Sequence, residues 1–355
     1  MNKIVMTGGG TGGHVTPNLA LIPRLMEDGF EIHYIGEENG VEQGLVSAVP
    51  GVSYYGISAG KLRRYFDLKN LTDPARVIKG FFQARRVLKS IRPDMVFSKG
   101  GFVSVPVVYA AWTLGIPVVA HESDITPGLA NKLSTPLAKT VCCTFQHAAD
   151  LIGKKGVYTG TPIRPEILAG DREAGLKRFQ FHKNMPVLMV TGGSSGAQAV
   201  NTLVRDSLSE LLESFQVLHL CGKGNIDDEC IGMTGYVQCE YLTDSMPDAY
   251  ACADVILSRA GANTLSELVA LHKPTLLIPS PKGASRGDQV LNAEDFEKRG
   301  LARVLPQETA TGEKLVSELF KLYRDRDQYA ERMKKEPASN GLENVLKEIY
   351  KVVRP

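Results

Sequence analysis

The sequence predicts an α/β fold of two Rossmann-like domains with a cleft between them, and three observations predict it. Short apolar runs with little alternation recur along the chain, as in parallel strands covered on both faces. Helix-like segments separate them, the order that builds doubly wound sheets. The sequence strand, glycine-rich turn, helix begins near Ile4 and begins again near Val187.

In the N-terminal half, strands are expected at 4–7, 32–35, 95–98, 118–121 and 141–145, with a helix over 18–27. In the C-terminal half they are expected at 187–191, 217–220, 255–257 and 275–278, with a helix from about Gln198. The prolines of Gly160-Thr-Pro-Ile-Arg-Pro165 mark an extended connection. Domains are therefore expected at 1–161 and 162–339. A terminal helix over about 340–355 follows, and packing back on the first domain is one place for it. Ligands of such open sheets bind beyond the carboxyl ends of the strands.

Composition narrows the function. Hydrophobic residues at 43% and charged residues at 23% exclude a disordered or fibrous chain. A net charge of +2 gives no global reason for nucleic-acid binding, and no recognition motif supports it. The six cysteines show no CxxC spacing, so buried thiols in a reducing compartment are expected rather than disulfides or zinc. The longest apolar stretch, 105–120, is broken by Pro106, Gly115 and Pro117 and is too short to span a bilayer. The chain enters its first strand at once, without a signal-peptide core.

The first turn reads Thr7-Gly-Gly-Gly-Thr-Gly-Gly-His14. Glycines between a strand and a helix bring backbone N–H groups to the helix N-terminus, where a phosphate is stabilised. The spacing Gly8-x-Gly10-x-x-Gly13, with Glu37 after the second strand, also fits a dinucleotide fingerprint. A NAD-dependent oxidoreductase is the rival reading. Further turns weigh against it: 192–196 opens the second half, and Lys99-Gly-Gly-Phe-Val-Ser-Val-Pro106 follows the strand at 95–98. Arg259-Ala-Gly-Ala-Asn-Thr-Leu-Ser-Glu267 adds a helix start and a carboxylate at another strand end.

Together and in order, GGGTGGH, KGGFVSVP, His121-Glu122 with PGLANK downstream, GTPIR, TGGSSGA, SRAGANTLSE and Gln289-x-x-Asn292 resemble the MurG family. Its members are the N-acetylglucosaminyltransferases that make lipid II in peptidoglycan synthesis. The resemblance runs along nearly the whole chain. It implies a GT-B glycosyltransferase, with UDP-N-acetylglucosamine (UDP-GlcNAc) held mainly by the C-terminal domain. The implied acceptor is lipid I, undecaprenyl-diphospho-MurNAc-pentapeptide, met at the cytoplasmic face of the membrane. The implied reaction is an inverting transfer to the 4-hydroxyl of MurNAc.

Roles carry over residue by residue. His14 would assist deprotonation of the acceptor, where the alternative is a turn or capping histidine. Glu267 would hold the UDP ribose, where the alternative is a capping box with Thr264. Arg164 and Ser194 would meet the nucleotide diphosphate, where Arg164 could instead be a surface residue near a hinge. Gln289 would meet the GlcNAc hydroxyls; it and Asn292 lie one helical turn apart and could equally form an ordinary polar face. Thr11, Gly12, Gly13, Asp124, Leu242, Ala262, Asn263, Thr264, Leu265 and Ser266 complete the implied donor set. Gly9, Gly10, Gly100, Gly101 and Ser104 would face the acceptor diphosphate. The family commonly carries Gln-Asn where this chain has Ser123-Asp124, and Asp cannot donate as an amide does.

No grouping of His, Cys, Asp and Glu has metal spacing. Asp325-Arg-Asp327 resembles the D-x-D of metal-dependent transferases but lies in a charged run away from every glycine turn. Glycine turns can stabilise a leaving diphosphate alone, so no tightly bound cofactor or divalent ion is expected. Between Lys61 and Lys99, eleven lysines and arginines face three aspartates, interleaved with Tyr65, Phe66, Phe81 and Phe82. Such a segment, with Arg85, Arg86 and Lys89, suits an anionic lipid surface; a solvated helix face with core-facing phenylalanines is the plainer reading. A transferase acting on another lipid, a nucleotide-sugar epimerase and a lipid-presenting subunit remain as alternatives.

Overall fold

The computed structural model describes residues 2–10, 12–60, 73–193, 196–281 and 287–353. The chain forms two compact units, Met1–Arg164 with Asn340–Pro355, and Pro165–Ser339. The join follows Arg164, where the sequence reading put it after Thr161.

The first unit holds strands β1 (Lys3–Thr7), β2 (Glu31–Glu37), β3 (Ser53–Ile57), β4 (Met95–Ser98), β5 (Val118–Glu122), β6 (Thr140–Cys143) and β7 (Gly156–Tyr158). Helices α1 (Thr16–Glu27), α2 (Val41–Ser47), α3 (Asp73–Ile91), α4 (Ser104–Thr113), α5 (Leu129–Ser134) and α6 (Gln146–Ile152) connect them. The sheet is parallel, in the order β3-β2-β1-β4-β5-β6-β7.

The second unit holds α7 (Pro165–Leu168), α8 (Arg172–Arg178), β8 (Val187–Thr191), α9 (Gln198–Asp206), α10 (Leu208–Leu211), β9 (Gln216–Leu220) and β10 (Tyr236–Cys239). It continues with α11 (Met246–Cys252), β11 (Val255–Ser258), α12 (Ala262–Ala270), β12 (Thr275–Leu277), α13 (Asp288–Lys298), β13 (Arg303–Val304), α14 (Gly312–Arg324) and α15 (Arg326–Lys334). Its parallel sheet runs β10-β9-β8-β11-β12-β13.

The last helix, α16 (Gly341–Val353), returns to the first unit. It sets Val345, Leu346 and Ile349 into the core beside Leu21, Leu25 and Phe97. Gly341 sits where a β-carbon would strike the carbonyl of Thr161, so this helix start needs glycine.

All nine expected strands are present, within two residues at each end. The four strands the sequence reading missed, β3, β7, β10 and β13, are the outermost strands of the two sheets. The inner strands β4, β5, β8 and β9 are buried throughout and read as apolar runs. Edge strands bury less, so composition does not announce them: β7 and β13 are half-buried along their length.

Candidate active site

In the first unit, the sheet topology brings the ends of β1, β4 and β5 side by side. The turn after β1 and the turn after β4 press backbone to backbone. A β-carbon on Gly101, whose φ is +84°, would strike the carbonyl of Gly9. Glycine is required there both for the conformation and for the approach. His14 ends a single 3-10 turn, Gly12–His14, just before α1, and is half-buried.

A carboxylate that the sequence reading missed organises the first turn. Glu42 of α2 is fully buried. Its Oε2 accepts the N–H of Gly10 at 3.2 Å, and its Oε1 accepts the N–H of Glu37 at 2.8 Å. The Gly10 N–H, read as a phosphate donor, is therefore already held by a protein carboxylate. That backbone donor is then not available to a dinucleotide pyrophosphate, which weighs against the oxidoreductase reading.

Ser104 is corrected too. It is fully buried and donates its hydroxyl to the carbonyl of Gly101 at 2.8 Å, so it shapes the turn. The local reach from a helix's first turn back to residue i−3 favours this bond.

Beyond β5, Glu122 gathers the next loop. Its Oε1 accepts the N–H of Asp124 at 2.8 Å. Its Oε2 accepts the N–H of Gly128 at 2.9 Å and the amide of Asn131 at 2.8 Å. Beside it, Lys99 donates to the hydroxyl of Ser123. Burial lowers the Lys99 ammonium to about 8, against the opposing pull of Glu122 and Asp124. Lys99 was counted with the surface basic segment; its 1% exposure removes it from any membrane face. His121 is also fully buried and pairs through Nε2 with the carbonyl of Gly160 at 3.0 Å. Burial, and then Lys99, push its pKa well below the ordinary value, so it stays neutral.

In the second unit, β8 leads through Gly192 and Gly193 to Gly196 and α9. Gly196, with φ +75°, faces the carbonyl of Cys221 where a β-carbon would not fit. The start of α12 follows β11. Its N-cap is Gly261, with no side-chain cap. Thr264 and Glu267 thus lie inside the helix, and the capping-box alternative for Glu267 falls away. Glu267 instead accepts the hydroxyl of Tyr250 on its Oε2 at 2.8 Å. Tyr250 is buried, and burial with the nearby carboxylate raises its pKa well above the ordinary value. No sequence signal pointed to it.

The rest of the expected donor run divides by burial. Leu265 and Ser266 turn into the core, and the Ser266 hydroxyl donates to the carbonyl of Ala262 at 2.8 Å. A helix cannot present every consecutive side chain to one ligand. Asn263 is exposed, while Ala262, Thr264 and Leu242 are half-buried. Gln289 accepts the N–H of Ser280 at 2.9 Å. Asn292 is 2% exposed and donates to the carbonyl of Ala260 at 2.9 Å. It shapes the turn before α12 and is not part of an exposed polar face. Arg164 is exposed at the end of the first unit. Thr11, Ser194, Tyr65 and Phe66 lie outside the described residues.

Among the described residues, no group of three or more His, Cys, Asp or Glu could hold a metal ion. Asp325 pairs with Arg324 at 3.0 Å, and Asp327 is 89% exposed. On α3, Phe82, Arg86 and Lys89 are exposed, whereas Phe81 and Arg85 are half-buried. Arg85 donates to Thr113 of α4 at 3.3 Å. Ile78 on α3 and Trp112 on α4, which the sequence reading did not single out, are exposed as well. No helix among the described residues is long and apolar enough to cross a membrane.

Comparison with known proteins bears on the family. Residues 4–143 match the glycosyltransferase family 28 N-terminal domain, and residues 187–349 match its C-terminal domain. A UDP-N-acetylglucosamine–N-acetylmuramyl-(pentapeptide) pyrophosphoryl-undecaprenol N-acetylglucosamine transferase of Clostridium botulinum is 51% identical over 355 residues, covering both chains entirely. The protein of the same name from Lachnospira eligens is 52% identical over 347 residues, 98% of each chain. The crystal structure of Acinetobacter baumannii MurG superposes with a TM-score of 0.78 at 26% identity, over 99% of this chain and 100% of that one. The chain belongs to glycosyltransferase family 28 and, within it, to the MurG family of N-acetylglucosamine transferases.

Proposed function

We propose that this enzyme moves GlcNAc from UDP-GlcNAc to the 4-hydroxyl of MurNAc in undecaprenyl-diphospho-MurNAc-pentapeptide, converting lipid I to lipid II. The observation that carries the reading is the end-to-end match to transferases named for that donor and acceptor. In the proposed step, the acceptor oxygen attacks the anomeric carbon, the bond to UDP breaks, and the configuration inverts. His14 takes the hydroxyl proton as general base. UDP leaves with the bonding pair, its diphosphate held by backbone N–H groups at helix starts. Glu267, steadied by Tyr250, holds the ribose; Gln289 and Asp124 meet the sugar.

Purified protein with UDP-GlcNAc and lipid I should yield UDP and a lipid-linked disaccharide in equal amounts. UDP release without disaccharide would overturn the acceptor assignment; conversion of UDP-GlcNAc to an epimer would favour the epimerase. His14→Ala should lower kcat by about 10²–10⁴-fold while calorimetry shows unchanged UDP-GlcNAc binding. Near-normal turnover would remove His14 from the chemistry.

The reading includes two further points. Turnover needs no tightly bound divalent ion, because backbone N–H groups can carry the leaving charge. Complete loss in EDTA, restored by magnesium, would contradict it. The enzyme works as a peripheral protein at the cytoplasmic membrane face, where α3 and α4 carry Ile78, Phe82 and Trp112 among Arg85, Arg86 and Lys89. Exposed apolar and basic side chains on neighbouring helices suit an anionic lipid surface.

A further inference from the structure

A chain of buried hydrogen bonds crosses the second unit. Asn201 of α9, His219 of β9, Cys221 just past β9 and Tyr236 of β10 are all buried. The amide nitrogen of Asn201 donates to the carbonyl of Cys221 at 2.8 Å. Its Oδ1 lies 3.0 Å from Nε2 of His219. On the far side of the ring, Nδ1 lies 2.8 Å from the hydroxyl of Tyr236.

One proton arrangement satisfies every member. A carbonyl only accepts, so the Asn201 nitrogen faces Cys221 and Oδ1 faces the imidazole. Oδ1 also only accepts, so the proton of the neutral ring sits on Nε2 and Nδ1 accepts from the Tyr236 hydroxyl. The opposite tautomer would set two lone pairs against each other at 3.0 Å. Burial, and then Arg205, push the His219 pKa down to about 3, so the ring stays neutral.

The chain ends at the glycine turn after β8. The Cys221 carbonyl that Asn201 holds is the one Gly196 packs against, where a β-carbon would not fit. Asn201 itself stands on α9, the helix which that turn leads into. We propose that His219 is a positioning residue for the donor: its Nε2–H fixes Asn201, and Asn201 fixes the carbonyl on which the turn at Gly196 rests. Without that donor, Oδ1 of Asn201 is buried with no partner, and the amide is free to turn away from Cys221. The donor arm rests on the reading that this turn meets the UDP diphosphate; the hydrogen-bond chain does not.

Two measurements test it. Heteronuclear NMR of the imidazole nitrogens, assigned by the signal lost in His219→Gln, should place the His219 proton on Nε2. A proton on Nδ1 overturns the proposal. Calorimetry with UDP and steady-state kinetics then compare His219→Leu, His219→Gln, Asn201→Leu and the pair His219→Leu/Asn201→Leu. His219→Leu should weaken UDP binding and raise KM for UDP-GlcNAc about tenfold, with KM for lipid I within about twofold. His219→Gln, whose amide nitrogen can stand in for Nε2, should recover most of that loss. The pair should bind UDP no worse than Asn201→Leu alone, because the histidine acts through Asn201. Unchanged UDP affinity in His219→Leu, equal losses in the glutamine and leucine variants, or additive losses in the pair overturn the proposal. If the leucine variants do not fold, the tautomer and the glutamine variant decide it, and UDP binding weakened about tenfold in His219→Gln overturns it. If the wild-type chain binds no UDP, the donor reading fails, and the NMR measurement still decides the hydrogen-bond chain.

Discussion

The hydroxyl of Tyr250 donates to Oε2 of Glu267 at 2.8 Å, linking α11 to the second turn of α12. The bond orients the carboxylate of Glu267 on that helix. Tyr250→Phe keeps the packing and removes only this donor. A hydrogen bond to a charged group contributes about 1.5–3 kcal/mol, so UDP affinity should fall at least about tenfold in calorimetry. Glu267→Gln should fall further, with little change in melting temperature. A lower melting temperature with UDP affinity intact would make Glu267 a structural residue only.

Glu42 serves two backbone N–H groups from a fully buried position. Glutamine there can accept only through its one amide oxygen, so either Gly10 or Glu37 loses its acceptor. Glu42→Gln should cost about 1–3 kcal/mol of stability, seen in denaturant unfolding followed by a probe in the first unit. It should also slow transfer, because the turn that carries His14 loosens. Wild-type stability in this variant would show that the carboxylate is dispensable.

The burial of Lys99 has a pH signature. Its folded pKa of about 8 lies below that of an unfolded lysine. Between about 8 and 10.4 the unfolded chain therefore binds more protons, and this group's contribution rises with pH. The desolvation cost is fully present below about pH 8, on the order of 3 kcal/mol, and is relieved above it. The melting temperature of the wild type relative to Lys99→Met should thus climb from pH 8 to 10. A difference flat across that window would mean Lys99 is not buried as a cation.

Exposed side chains on α3 include Ile78, Phe82, Arg86 and Lys89, and on α4 Trp112. Each basic residue near an anionic membrane contributes about 1 kcal/mol. Neutralising Arg85, Arg86 and Lys89 together should weaken binding to phosphatidylglycerol vesicles about 100-fold and leave binding to neutral vesicles unchanged. Undiminished vesicle binding would assign these residues to solvent.

The inner strands, the glycine turns and the repeated βα plan were legible in the sequence. Each depends on local chemistry: apolar runs for strands covered on both faces, and glycine where backbone meets backbone, as at Gly9 and Gly101. The outermost strands were not legible, since half-buried segments carry no distinctive composition.

Side-chain partnership was the other gap. Glu42 lies 32 residues from Gly10, Tyr250 lies 17 from Glu267, and Lys99 lies 24 from Ser123. Nothing local marks such pairs, because loop closure at these separations is decided by how strands order within a sheet. The return of α16 to the first unit is of the same kind: its apolar stripe was readable, its docking place was not. By itself the sequence determined which segments become the inner strands, where backbone must approach backbone, and the family. The tertiary structure alone decided which carboxylates hold those turns, because burying a charge among partners distant in sequence is a property of the packed chain.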